Sequence, residues 1–358
     1  MYAGLAMTVL ANLQFLRVVA ALLVVAHHAS RSMLEAFPAL EPITLGVAGV
    51  DIFFILSGVV ITLSHEHKSE SRGAFLRARI IRIVPMYWLA TLMLSLMLLV
   101  GLEPLGRAQA DLTLGEIATS LLFIPHNTAS GASGPLLLVG WTLNYEMFFY
   151  LLFGLFIALP PRGRVSATLF AILLLVLVGV LGLAGGKIAT TYTDLILLEF
   201  AAGMLLGHYW ANRRAGDRDR LIGSMFLALS LAGFALSTTS QAMGLPEPHR
   251  VVIWGIPGLF AVIGAMFLEA GGVAVRNRNL LLLGAASYVL YLFHQFVLQT
   301  LQKGLAAASV SLATPAGALL YLGLAVAISC LIAVGIHRKI EQPVTRFLKG
   351  GRTKAVSA

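Results

Sequence analysis

Residues 16–28 read Leu16-Arg17-Val18-Val19-Ala20-Ala21-Leu22-Leu23-Val24-Val25-Ala26-His27-His28. The run is apolar enough to leave water, yet it starts beside a guanidinium and ends on two imidazoles. A helix that spans a bilayer needs about 20 largely apolar residues, and the stretch 13–34 around this run has that length. Arg17 and His28 are eleven residues apart, which at about 100° per residue puts both on one helical face, separated by about 16 Å of rise. His27 points about 80° away. Two readings are open. Arg17 snorkels to the interface while His28 is a core histidine bonded to a carbonyl, or the two are working groups, because ionisable side chains inside a span are costly and need a reason.

The rest of the chain resembles this run. Of 358 residues, 58% are apolar and 11% charged, with a mean hydropathy of +0.88. Soluble chains are about 45–50% apolar and roughly 25% charged. A soluble globule, a disordered chain and a collagen-like fibre are excluded. Ten apolar runs are long enough to span: 13–34, 43–64, 84–102, 136–159, 165–183, 193–211, 221–240, 251–271, 281–302 and 314–337. They lack the strict alternation of a membrane β-barrel. The expected fold is an all-α polytopic bundle of about ten transmembrane helices. The shorter apolar piece 113–124 is read as re-entrant or interfacial within the long loop 103–135. Residues 1–345 form the membrane domain and 346–358 a basic tail, with no soluble domain, internal repeat or cleaved leader expected. The single cysteine, Cys330, excludes an internal disulfide and a thiolate metal cluster.

Charge gives the topology. Short loops rich in Lys and Arg face the cytoplasm. Nineteen cations lie in every second loop and in the C-terminal tail, against five in the intervening loops, namely Arg31, Arg107, Lys187, Arg250 and Lys303. Ten spans with both termini cytoplasmic satisfy this alternation. The basic balance is therefore topological, and no nucleic-acid partner is expected.

Several further polar residues sit inside spans. Asp51 lies near the outer end of the second run and Ser57 deeper, followed by Gly58; small residues there also suit close helix packing. A helix over 73–83 would put Arg72, Arg79 and Arg82 in one stripe at the cytoplasmic mouth. Guanidinium forks there suit phosphates, or they anchor the chain on anionic membrane lipids. Glu146, about 16 Å from the external end of the fourth run, must be protonated or paired with a cation or a donor. Ser287, Tyr291 and His294 share a face of the ninth run at i, i+4, i+7, and Tyr288 does not share it. Glu199 is a buried acid with no partner evident in the sequence. His65-Glu66-His67 lacks zinc-motif spacing and is read as solvated loop; no metal is expected. Glu341-Gln342-Pro343 caps or anchors the last span.

Together these segments resemble the acyltransferase 3 family of integral-membrane acyltransferases. The matching residues are Arg17-x10-His28, Gly49-Val50-Asp51-x-Phe53-Phe54-x-x-Ser57-Gly58, Arg79-x-x-Arg82 with Pro85 and Tyr87, Trp141-x-Leu143-x-x-Glu146, Ser287-Tyr288-x-x-Tyr291-Leu292-x-His294 and Glu341-x-Pro343. Six motifs in the family's order cover nearly the whole chain. The wording around Leu13–Arg17 and Gly140–Tyr150 looks most like the exopolysaccharide-modifying subgroup.

The resemblance implies transfer of an acyl group, commonly acetyl from acetyl-CoA, to a saccharide or glycolipid hydroxyl. The donor is cytoplasmic, and the acceptor is at the outer face of a bacterial inner membrane. On this reading CoA phosphates meet Arg79 and Arg82, and Arg17 holds the pantetheine or phosphates. His28 is general base or brief acyl carrier, since an imidazole titrates at about 6.5 when unperturbed. Glu146 or Asp51 orients it, and Trp141, Ser57, Tyr291 and His294 line the substrate side. The competing classes are a secondary transporter or lipid-linked-sugar flippase, disfavoured by the lack of an inverted repeat, and a structural subunit, which leaves the buried polar residues without a purpose.

Overall fold

A computed structural model describes residues 10–33, 43–68, 70–102, 104–128, 131, 134–244 and 249–350. All regular elements among the described residues are helical. They are α1 (Ala11–Met33), α2 (Ala48–His65), α3 (Arg72–Leu99), α4 (Leu114–Leu121), α5 (Trp141–Leu155), α6 (Pro161–Val180), α7 (Gly186–Tyr192), α8 (Leu197–Asn212), α9 (Asp219–Ala242), α10 (Ile256–Ala270), α11 (Arg278–Ala285), α12 (Ser287–Ala307), α13 (Pro315–Ile336) and α14 (Gln342–Leu348). Eight helical segments among the described residues are long and apolar enough to cross a membrane. A ninth is the α11–α12 pair, bent by 74° at Ala286. The protein is an all-α, multi-pass membrane protein.

The fourth expected run behaves differently. In place of a helix over 136–159, residues 134–140 are largely irregular and buried, and α5 has only 15 residues. That is about 22 Å of helix, shorter than the hydrocarbon thickness of about 30 Å. The missing length is supplied by folded loop. The Arg107 guanidinium donates to the carbonyls of Leu136 at 3.0 Å and Pro135 at 2.7 Å. Burial pushes its pKa below the ordinary arginine value, and the charge of Asp111 opposes that shift. The piece expected at 113–124 is the short helix α4, docked on α3 by Tyr87 Oη to the Ser120 carbonyl (3.1 Å) and Trp88 Nε1 to the Leu121 carbonyl (2.9 Å). Irregular backbone at membrane depth is tolerable when protein groups take its hydrogen bonds in this way.

A second correction concerns 73–83. No separate interfacial helix forms there: α3 runs unbroken for 28 residues, with Ser71 as its N-cap and Pro85 inside. Proline removes one ladder donor, and neighbours in membrane bundles make that acceptable. The carbonyl that loses its donor is that of Ile81; two residues on, Tyr288 Oη from α12 donates to the Ile83 carbonyl at 2.8 Å. Nor is 65–67 solvated loop throughout. His65 and Glu66 are both 4% exposed, because Glu66 pairs with His208 at 2.7 Å and Asn212 at 2.9 Å from α8. At the C-terminal end a π-turn carries α13 into α14, so the expected domain boundary at 345/346 falls within a helix. Arg352 and Lys354 of the expected basic tail lie outside the described residues.

Helix α1 is central, packed against α2, α10, α11, α12 and α13. Helices α2 and α8 cross in close backbone contact. A Cβ on Gly203 would lie 2.0 Å from the Ile55 carbonyl oxygen, and one on Gly58 2.3 Å from that of Phe200. These glycines let two backbones touch, which fixes α2 and the polar residues it carries. Gly203→Ala should cost about 1–3 kcal/mol through overpacking, read as a lowered thermal unfolding midpoint in detergent.

Candidate active site

Helices α1, α2, α3, α5 and α12 enclose a cavity of about 730 Å³, its open mouth included. Its polar wall carries Arg17, Ser57, Arg79, Arg82, Glu146 and Tyr291, all six expected from the sequence, joined by Tyr150, Tyr288 and Thr142. Along α2 the lining runs from Val50 to Ile61, about 16 Å of helix. Arg82 is exposed at the Arg-bearing end, while Arg79 and Arg17 are half-buried.

Each charge in this wall is held by a different device. Arg17 Nε donates to Ser287 Oγ at 3.1 Å and to the Gly284 carbonyl at 3.4 Å, both at the α11–α12 break. Glu146 Oε1 accepts from Ser57 Oγ at 3.1 Å and from Tyr150 Oη in a short bond. The Arg79 guanidinium lies 5.6 Å from the Phe75 ring centre and 5.9 Å from that of Tyr150. Arg79 Nε is buried and has no hydrogen-bond partner. A buried donor without a partner carries a desolvation cost, and an anion entering the cavity would relieve it.

The histidines lie beyond the cavity's far end. Tyr291 forms part of that end, with Oη 3.0 Å from the Val139 carbonyl and 2.8 Å from Thr142 Oγ1. One turn on, the His294 ring centre is 6.2 Å from that of Tyr291 and 5.1 Å from that of His28. His294 Nδ1 bonds the Tyr291 carbonyl at 2.8 Å, so it carries the proton, and Nε2 is buried without a hydrogen-bond partner. Gln295 Nε2 lies 3.5 Å from His28 Nδ1. His27 instead bonds the Ile43 carbonyl. On α1, then, Arg17 lines the cavity and His28 lies against His294, while His27 is the carbonyl-bonded histidine.

Two expected roles do not match the geometry. Neither Asp51 nor Glu146 orients an imidazole: both oxygens of Asp51 accept from Arg250, at 3.1 and 2.8 Å, and Glu146 is engaged as above. Asp51 is fully buried, and the Glu199 carboxyl group lies near the same pair. Arg250 in turn lies 5.4 Å from the Trp141 ring centre. Trp141 itself lines a different pocket. Sequence reasoning also missed Tyr150, four residues after Glu146 on one face of α5, and Gln295 beside His294. The first could have been found by helical spacing alone.

The acyltransferase domain family matches residues 10–334. The chain belongs to the acyltransferase 3 family. It is similar to the exopolysaccharide production protein ExoZ of Rhizobium meliloti, 36% identical over 317 residues, covering 88% of this chain and 93% of that one. Nodulation protein 10 of Rhizobium leguminosarum bv. viciae is 26% identical, over 71% of this chain and 72% of its own. "Putative peptidoglycan O-acetyltransferase YrhL" of Bacillus subtilis is 25% identical, over 87% of this chain and 54% of its own. No solved structure matches the chain significantly. The chain is therefore a membrane acyltransferase.

Family membership leaves the Asp51–Arg250 pair a structural question, which stability answers. Removing one partner of a buried ion pair strands the other charge at a cost of about 3–5 kcal/mol. Arg250→Ala should lower the unfolding midpoint clearly, and Asp51→Asn in the same background should recover part of the loss.

Proposed function

We propose that this acyltransferase takes an acyl group, acetyl in the first instance, from cytoplasmic acyl-CoA. It passes the group to a hydroxyl of an extracytoplasmic or lipid-linked saccharide at the bacterial inner membrane. The observation that carries the reading is the cavity itself: guanidinium groups line its wall, and Tyr291 in that wall lies 6.2 Å from His294, which in turn lies 5.1 Å from His28. The similarity to an exopolysaccharide production protein favours a saccharide acceptor. The basic loop beside Arg79 and Arg82 favours a cytoplasmic mouth and cytoplasmic termini.

In this mechanism Arg79 and Arg82 bind phosphates of the donor, as charge-assisted forks do. Arg17 holds the pantetheine arm deeper in the cavity. The thioester passes Tyr291 to reach His28. The acceptor oxygen attacks the thioester carbonyl carbon while His28 takes the hydroxyl proton. The carbon–sulfur bond then breaks, and the proton passes to the departing CoA sulfur. General-base assistance of this kind contributes about 10²–10⁴-fold. Gln295, 3.5 Å from His28 Nδ1, helps to orient the His28 ring. Glu146, held by Ser57 and Tyr150, offsets the charge of Arg17 without entering the chemistry.

His28→Ala should give folded protein with acyl transfer reduced at least 100-fold, on the order of the general-base contribution. Its binding of acetyl-CoA should stay close to wild type. Radiolabelled acetyl-CoA with purified protein and a polysaccharide acceptor measures the first, and filter binding the second; normal product from this variant would remove the role. Arg79→Ala should weaken acetyl-CoA binding about 10- to 100-fold, the usual worth of a hydrogen bond to a charged group. An unchanged affinity would count against the phosphate clamp.

A further inference from the structure

Helix α5 is a wall with two working faces. Glu146 and Tyr150 look into the cavity described above, with Thr142 one turn before them. Trp141, Asn144 and Tyr145, at i, i+3, i+4, look into a second pocket of about 560 Å³, its mouth included. Phe54 packs between the two, its ring centre 6.4 Å from that of Trp141 and 6.0 Å from that of Tyr145.

The second pocket is built from three segments tied together. Phe148 of α5 stacks on Tyr192 of α7 at 4.1 Å, and Tyr192 Oη donates to the Phe123 carbonyl. These ties hold His126 from the loop after α4, and Lys187 and Thr191 from α7, against α5. The chemistry inside is uneven. Asn144 is 3% exposed and its Oδ1 has no hydrogen-bond partner. The Nδ1 of His126 lies 2.8 Å from the Ile124 carbonyl, so the proton is there, and Nε2 is a buried acceptor with no partner. Two buried acceptors on one pocket wall both need donors. Beside them are the rings of Trp141 and Tyr145, and at the mouth the exposed Lys187.

We infer that this pocket holds one sugar unit of the acceptor glycan, next to the unit that is acylated. A pyranose ring offers several hydroxyl donors for Asn144 Oδ1 and His126 Nε2, and apolar C–H faces for the two aromatic rings. Lys187 favours a unit bearing a carboxylate. The inference rests on the acyl-transfer reading for the word acceptor. Lys187 belongs to the sparsely basic, outward set of loops, the side on which that reading puts the glycan. The Thr142–Tyr291 hydrogen bond connects the start of α5 to the His28–His294 pair, so a chain of sugars lying over α5 reaches both places.

The test uses purified full-length protein, with cellohexaose and hexagalacturonate as probes in saturation-transfer NMR and calorimetry without any donor. The wild type should bind at least one probe, hexagalacturonate more tightly. Asn144→Leu should weaken that binding about ten-fold, the worth of one hydrogen bond to a ligand. Its thermal midpoint should hold or rise, because an unsatisfied buried acceptor is being replaced by an apolar group of similar size; acetyl-CoA binding should not change. Lys187→Glu, on an exposed side chain, should reduce the preference for hexagalacturonate. Equal probe binding by the wild type and Asn144→Leu, or no binding of either probe by the wild type, would overturn the inference. Acyl transfer with an unchanged acceptor KM in Asn144→Leu would overturn it too, while leaving the acyl-transfer reading intact. Probe binding lost in Asn144→Leu, with no acyl transfer by the wild type, would support the pocket and overturn that reading instead.

Discussion

A guanidinium within the hydrocarbon needs its hydrogen bonds supplied by protein, and for Arg17 the supplier is a broken helix. The end of α11 leaves carbonyls without intrahelical donors, and the start of α12 offers Ser287. Arg17 takes the Gly284 carbonyl and the Ser287 hydroxyl together. The break and the arginine therefore satisfy each other, since either alone would leave polar groups unpaired in lipid. The 74° bend follows the same logic. It also sends α12 off in the direction that brings Tyr288 and Tyr291 into the cavity wall and His294 against His28. One local exchange of hydrogen bonds thus sets the position of the cavity's deep end.

The long-range electrostatics are arranged on the same principle. Asp51 and Arg250 are 199 residues apart and meet through two hydrogen bonds. With Glu199 beside them they form a polar cluster on the N-terminal half of α2, adjacent to the α2–α8 crossing set by Gly58 and Gly203. Clusters like this contribute less to stability than their Coulomb energy suggests, because desolvation offsets most of the gain. Their effect is to specify geometry. A slip of α2 along α8 would leave Asp51 charged without its partner, so the register that keeps Ser57 on Glu146 is also the one that keeps Asp51 on Arg250.

Legibility from sequence followed the range of the interaction. The Arg17/His28 face, the Arg79/Arg82 stripe and the Ser287/Tyr291/His294 face are consequences of helical period within one segment, and each is where that period puts it. The chain's all-helical membrane architecture followed from hydropathy alone. The length of α5 did not, because Leu136, Leu137 and Val139 are apolar yet belong to a folded loop whose carbonyls Arg107 satisfies. Hydropathy records transfer to an apolar place and is blind to whether the backbone there is helical. The partners of Asp51 and Glu66, and the Ser57 hydroxyl on Glu146, were equally invisible, since each depends on which helices cross. Assigning Asp51 to an imidazole used chemistry that was reasonable for the residue and a contact that the tertiary structure gives to Arg250.

The proposed route carries a constraint that a soluble acyltransferase does not face: an acyl group would have to cross the hydrocarbon without opening a path for water and ions. The packing around Tyr291 meets that constraint. Its hydroxyl is tied to Val139 and Thr142, its ring packs edge-on against Phe53 at 6.1 Å, and it is itself only 7% exposed. A polar channel running from Arg82 to His28 would conduct; a cavity closed by an aromatic side chain with hydrogen bonds to give up does not. Displacing Tyr291 leaves the Val139 carbonyl to the Thr142 hydroxyl, which already lies 3.0 Å from it, so no backbone acceptor is stranded by the movement. The side chain is therefore held well enough to seal the cavity at rest, and its departure leaves no unpaired carbonyl behind. On the proposed mechanism, those are the physical requirements of a barrier that yields to a bound donor and not to water alone.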